Sequence, residues 1–122
     1  MGWKRYTAGA MAFAVSGAMA PHAAAQSYPV KPIRMVCPSS PGGTTDYVAR
    51  LVAQNLTEAW GQQVVVDDRP GAGGIVGTEM AAKAPPDGHT LLVCSSGILT
   101  NAAFRPENYD PVRDLQPVSN LY

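Results

Sequence analysis

The residues best equipped for chemistry in this sequence lie in three short stretches rich in glycine, hydroxyls and acids. "PSSPGGTTD" (residues 38–46) holds two glycines, four hydroxyls and one carboxylate, with no lysine or arginine. "DRPGAGG" (68–74) and "SSG" (95–97) are built from similar material. Glycine lets a ligand approach the backbone closely, and a helix N-terminus offers unpaired N–H groups to an anion. Phosphate-binding loops of this kind usually add a cation. The first stretch has none, which leaves open what such a cradle would hold.

Other chemistries fit less well. "GAGGIVG" resembles a dinucleotide fingerprint, but a G-x-G-x-x-G started at Gly71 would need glycine where Val76 stands. No Walker-type loop and no metal-ligand spacing occurs, so neither cofactor nor metal is implied. "CSSG" lacks the glycine spacing of a nucleophile elbow. His89 falls in the turn "PDGHT" and reads as a solvated turn residue rather than a base. Cys37 and Cys94 each end an apolar run and read as buried free thiols, because a disulfide between adjacent parallel strands demands unusual geometry.

The elements around these loops follow from hydrophobic pattern. Three apolar runs, at 33–37, 63–67 and 90–95, read as strands. The first two are followed by helical patterns at 45–60 and from Ile75 up to Pro85. In the first helix Val48, Leu51, Val52 and Leu56 define an apolar face, Thr44 or Thr45 caps the start, Asp46 suits the positive end, and Gly61 stops it. The stretch after residue 97 reads as irregular. Strand, helix, strand, helix, strand at this spacing gives an α/β fold, a βαβαβ unit with parallel strands and right-handed crossovers. The continuous apolar runs fit strands covered on both faces. In such a sheet the loops after each strand gather at the C-terminal edge, where open α/β sheets bind ligands. The three chemistry-bearing stretches are those loops, and two of them open a helix.

Composition bounds the function. The 122 residues carry 9 Lys+Arg and 9 Asp+Glu, and that balance argues against a nucleic-acid partner. Residues 1–25 stand apart: Lys4 and Arg5 precede an uncharged alanine-rich run of thirteen residues, and Ala23 and Ala25 occupy small-x-small positions. The run is short for a membrane span, which needs ~20 residues. A secretory signal cut after Ala25 is expected, leaving 26–122 with seven basic and nine acidic side chains in an oxidising, periplasmic compartment.

"YPVKPIRMVCPSSPGGTTDYVARLVAQNL", "GQQVVVDDRPGAGGIVGTEMAAKAPPDGHTLLV" and "YDPVRDLQPV" resemble, in order, the Bug family, the periplasmic solute receptors of tripartite tricarboxylate transporters. The resemblance implies a two-domain Venus-flytrap receptor, not an enzyme, that closes on a small carboxylate: a di- or tricarboxylate, an acidic amino acid or an aromatic acid. Its partners would be the membrane subunits of that transporter. One ligand carboxylate would be held by backbone N–H groups, hydroxyls and waters. Carried onto this sequence, the ligand-binding positions are Ser40, Pro41, Gly42, Gly43, Thr44, Thr45 and Asp46 in the first loop. Gly71, Ala72, Gly73 and Gly74 follow in the second, and Ser95, Ser96 and Gly97 in the third. Asp46 is expected to order its loop by accepting N–H bonds, and Arg69 either to neutralise ligand charge or to pair with Asp67 or Asp68.

The sequence departs from the family pattern at Ser39 and Ser40, which replace an aromatic residue and a proline, at Asp68, which replaces asparagine, and at Cys94, which replaces glycine. Family members run to roughly three hundred residues, so residues 26–122 are expected to form an incomplete N-terminal lobe with the second domain absent. Two rival readings stand beside the receptor: an exported hydrolase or transferase with Ser95 or Cys94 as nucleophile, and a truncated product without function.

Overall fold

The computed structural model describes residues 28–104 and 109–121 of the chain. The expected signal segment lies outside the described residues. Three strands, β1 (Ile33–Cys37), β2 (Val64–Asp68) and β3 (Thr90–Leu92), form a parallel sheet in the order β2-β1-β3. Helix α1 (Thr44–Trp60) connects β1 to β2, and α2 (Ile75–Ala82), entered through a single 3₁₀ turn at Ala72–Gly74, connects β2 to β3. A third helix, α3 (Gly97–Phe104), follows β3. The expected βαβαβ order is present. The stretch after residue 97, expected to be irregular, instead begins with α3, so all three loops, rather than the expected two, open a helix. "ILTNAAF" has no clear apolar periodicity, and its helix docks on the 3₁₀ turn and α2.

β1 is central and buried on both faces: Ile33, Met35, Val36 and Cys37 are all at most 1% exposed. Alternation puts Ile33, Met35 and Cys37 on the face covered by α1, where they join Ala49, Ala53, Val64 and Val93 in one core cluster. Arg34 lies on the other face, where its guanidinium meets Met80 of α2. The helices therefore flank the sheet, as right-handed crossovers on either side of a central strand require.

The seam of α1 differs from the expected apolar face. Ala49 and Ala53, one turn apart, are its buried apolar residues, with Val52 and Leu56 packed beside them. Leu51 is half exposed. Two alanines at i and i+4 let the helix axis approach the sheet closely, and Leu51 then lies on the far side of the helix. The helix stops at Gly61, which takes the left-handed conformation (φ 66°) and donates its N–H to Thr57 O at 2.9 Å. Thr57 Oγ1 in turn accepts the Val64 N–H, which fixes where β2 begins.

His89 is not a solvated turn residue. Its backbone enters the sheet, its carbonyl accepting the Arg34 N–H, and its ring packs edge-on against Tyr28 with centroids 5.1 Å apart. Its side chain keeps only 11% of its surface exposed.

Candidate ligand-binding site

The N-terminus of α1 is shaped by an acid rather than by a hydroxyl. Gly43 is the N-cap residue, and neither Thr44 nor Thr45 makes the expected side-chain cap. Instead Asp46 reaches back from the first turn, and its Oδ2 accepts the Gly42 N–H at 2.7 Å. The expectation that Asp46 orders the loop agrees with this bond. The Gly42 N–H and then the Arg50 guanidinium hold the Asp46 carboxyl below the usual carboxylate range. The Gly43 N–H is spent on Ser40 O at 3.2 Å. The N–H groups of Thr44, Thr45 and Asp46 have no preceding helical carbonyl to bond, so they are the donors this end can offer.

The second loop turns through Gly71, Ala72, Gly73 and Gly74. Gly74 closes the turn by donating to Gly71 O at 2.9 Å and lies with φ +95° against the Pro38 carbonyl, where a Cβ would sit 3.3 Å from that oxygen. Ala72 adopts φ 47°, a left-handed conformation that costs an L-residue roughly 1 kcal/mol and in folded proteins is concentrated at ligand loops. Thr78, itself buried, bonds the Gly74 carbonyl at 2.8 Å, and Asn101 of α3 bonds the Gly73 carbonyl at 2.9 Å. In the third loop, Ser95 O accepts the Ile98 N–H at 3.3 Å as α3 begins.

These three helix starts converge on a hollow of about 40 Å³ at the C-terminal edge of the sheet. Roughly 10–15 Å³ of such space holds one water, so it has room for a few waters or a carboxylate head. Its lining is Pro38, Ser39, Thr45, Gly73, Gly74, Thr78, Cys94, Ser95, Ile98, Asn101 and Tyr109. No charged side chain is among them. Of the residues expected from sequence, Thr45, Gly73, Gly74 and Ser95 line the hollow. Ser40, Pro41, Gly42, Gly43, Thr44, Asp46, Gly71, Ala72, Ser96 and Gly97 shape its loops without lining it. Pro38, Ser39, Thr78, Cys94, Ile98, Asn101 and Tyr109 line it and were not among the expected ligand-binding residues. Thr78 sits one turn after Gly74, where a helix hydroxyl returns to a loop carbonyl, so it was legible in principle. Asn101 and Ile98 required α3 to be recognised first.

Arg69 and Arg34 are occupied elsewhere. Arg69 Nε pairs with Asp67 Oδ1 at 2.8 Å, and Arg34 holds the other carboxylate oxygen of Asp67. Burial pushes the Asp67 carboxyl up, but the two guanidiniums outweigh it and the net displacement is downward. Cys37 is buried beneath α1 and Cys94 lies in the hollow, and both are free thiols. Burial pushes both thiols up, which makes Cys94 a poor nucleophile. His89, the base a nucleophile at Ser95 or Cys94 would want, precedes β3 while those residues follow it, so the length of the strand separates them.

A parallel sheet flanked by helices, with three helix N-termini gathered at one edge, is part of the α/β fold of solved periplasmic binding proteins. Residues 48–122 match the family described as the tripartite tricarboxylate transporter family receptor, and the chain belongs to that family. Among curated relatives, the UPF0065 protein in the tcbD-tcbE intergenic region of Pseudomonas sp. (strain P51) is 46% identical over 93 residues, covering 75% of this chain and 28% of the relative. BugT of Bordetella pertussis is 44% identical over 109 residues, covering 87% of this chain and 33% of its own. The chain thus spans about a third of the length of the curated relatives it matches. A solved periplasmic transporter superposes with a TM-score of 0.73 at 47% identity, over 76% of this chain and 32% of that one. MatC from Rhodopseudomonas palustris, solved with bound malate, superposes with a TM-score of 0.66 at 37% identity, over 71% and 30% respectively.

Proposed function

We propose that this protein binds a small carboxylate in the periplasm as a receptor for a tripartite tricarboxylate transporter, whose membrane subunits are its partners. The observation that carries this reading is the uncharged hollow at the meeting of three helix N-termini. Free N–H groups and the partial positive charge at helix starts stabilise an anion without a counter-ion, and waters complete the shell. The solved relatives with malate and with adipate support the ligand class. A leader at 1–25, removed after Ala25, would deliver the chain; intact mass of exported material should then begin at Gln26.

Flytrap receptors bury their ligand between two walls, and the described residues provide one. Binding by these residues alone should therefore be weak. The test is amide chemical-shift perturbation of the ¹⁵N-labelled protein titrated with malate and with adipate. Shifts that saturate at the Thr44, Thr45, Gly74 and Ser95 amides are expected. Shifts confined to other surfaces, or reproduced by chloride at matched ionic strength, would reject the reading.

A further inference from the structure

Arg50 stands in α1, one turn after Asp46, with more than half of its side chain exposed. Its two contacts are nevertheless with nearly buried acids. Its Nε pairs with Asp46 Oδ1 at 2.7 Å, and its terminal nitrogen donates to Asp68 Oδ2 at 2.8 Å; these carboxylates are 4% and 11% exposed. Asp46 belongs to the first loop through its bond to the Gly42 N–H. Asp68 ends β2, where its backbone pairs with Cys37, and it leads directly into the second loop. One guanidinium thus ties together two of the loops that border the hollow.

We infer that Arg50 is a positioning residue of the binding site, a fork that fixes the first loop against the start of the second without touching the ligand. The geometry suits arginine and not lysine. A planar guanidinium serves two carboxylates from different nitrogens at once, whereas an ammonium acts as a single point charge. Without the fork, two buried acids would face each other unneutralised, and like charges in a poorly hydrated setting repel strongly. The charged and titratable groups facing Asp46 and Asp68 in this cluster are Arg50 and, across the β1–β2 register, the Cys37 thiol.

The role depends on the carboxylate reading only for its effect on binding, so two readouts separate the claims. The Gly42 amide reports the fork directly, because its shift titrates with Asp46. Arg50→Gln is expected to move that titration upward, speed exchange of the Gly42 amide, and weaken malate-induced shifts at Thr45 and Ser95 severalfold. Arg50→Lys is expected to recover part of the titration and little of the malate response. A Gly42 titration unchanged in Arg50→Gln overturns the inference, even if the urea midpoint falls. Equal malate responses in the parent and Arg50→Gln also overturn it, and leave the carboxylate reading intact. A moved Gly42 titration in a parent that ignores malate supports the fork and rejects the carboxylate reading. Should Arg50→Gln fail to fold, Asp68→Asn removes the far contact alone and is expected to speed Gly42 exchange; unchanged exchange there overturns the inference.

Discussion

Gly77 and Pro38 meet with no room for a side chain between them. A Cβ on Gly77 would lie 2.8 Å from Pro38 Cβ and 2.8 Å from the carbonyl oxygen of Arg69, closer than real Cβ atoms approach. This contact seats the first turns of α2 on the loop after β1, and both line or support the hollow.

Gly77→Ala should therefore force α2 away from β1 and lower stability by about 2 kcal/mol, the usual cost of overpacking a close contact. Urea denaturation measures it. A midpoint equal to that of the parent would show that the helix shifts freely, and that Gly77 does not set its seat.

Gly61 and Gly43 predict opposite kinds of loss. Gly61 is left-handed at the end of α1, so Gly61→Ala should cost about 1 kcal/mol in urea denaturation and leave carboxylate shifts unchanged. Gly43 has an extended backbone open to any residue, but a Cβ there would stand 3.3 Å from Ser40 O beside the first-loop donors. Gly43→Val should impair malate-induced shifts far more than Gly61→Ala does. Equal titration curves for the two variants would remove Gly43 from the site.

Acid should unfold the protein through its paired aspartates. Lys31, together with the His89 backbone N–H, holds Asp87 down to about 2, and Asp46 and Asp67 are also displaced downward. A carboxyl whose folded value lies below its unfolded value binds more protons when unfolded. Its contribution is complete well above the unfolded value of about 3.9 and is lost as pH falls toward the folded value. The urea midpoint should hold steady near neutrality and fall between about pH 5 and pH 2. Asp87→Asn should flatten the lower part of that fall. An identical profile would show that the Lys31 pair contributes nothing, as exposed pairs sometimes do.

Alternation along the strands places Cys37 beneath α1, while Cys94 lines the hollow, so the two thiols should remain reduced in the folded protein. Iodoacetamide followed by mass spectrometry should label Cys94 before Cys37, slowly in both cases because burial raises both thiols. Bound malate should slow the labelling of Cys94 alone. A disulfide under non-reducing conditions, or faster labelling of Cys37, would contradict this placement.

The sequence by itself determined the order of the three strands and the first two helices, the parallel α/β class, the stop at Gly61 and the gathering of three cation-poor loops at one edge. Those features are local: apolar runs, helical spacing, turn residues and the handedness of crossovers each act within a few residues or one connection. Tertiary structure alone decided which loop residues face inward. Asp46 took the Gly42 N–H as its sequence context suggested, but the Arg50 link from it to Asp68, and the choice of Asp67 by Arg69, were set by the fold. Asn101 came to the Gly73 carbonyl from 28 residues away, on a helix whose pattern was too weak to read. Leu51 faced outward because Ala49 and Ala53 set the helix against the sheet. A repeat of apolar residues states that a face exists, but which residues occupy its centre depends on how closely the partner element can approach. That distance is set by packing across the fold and is written in no single segment.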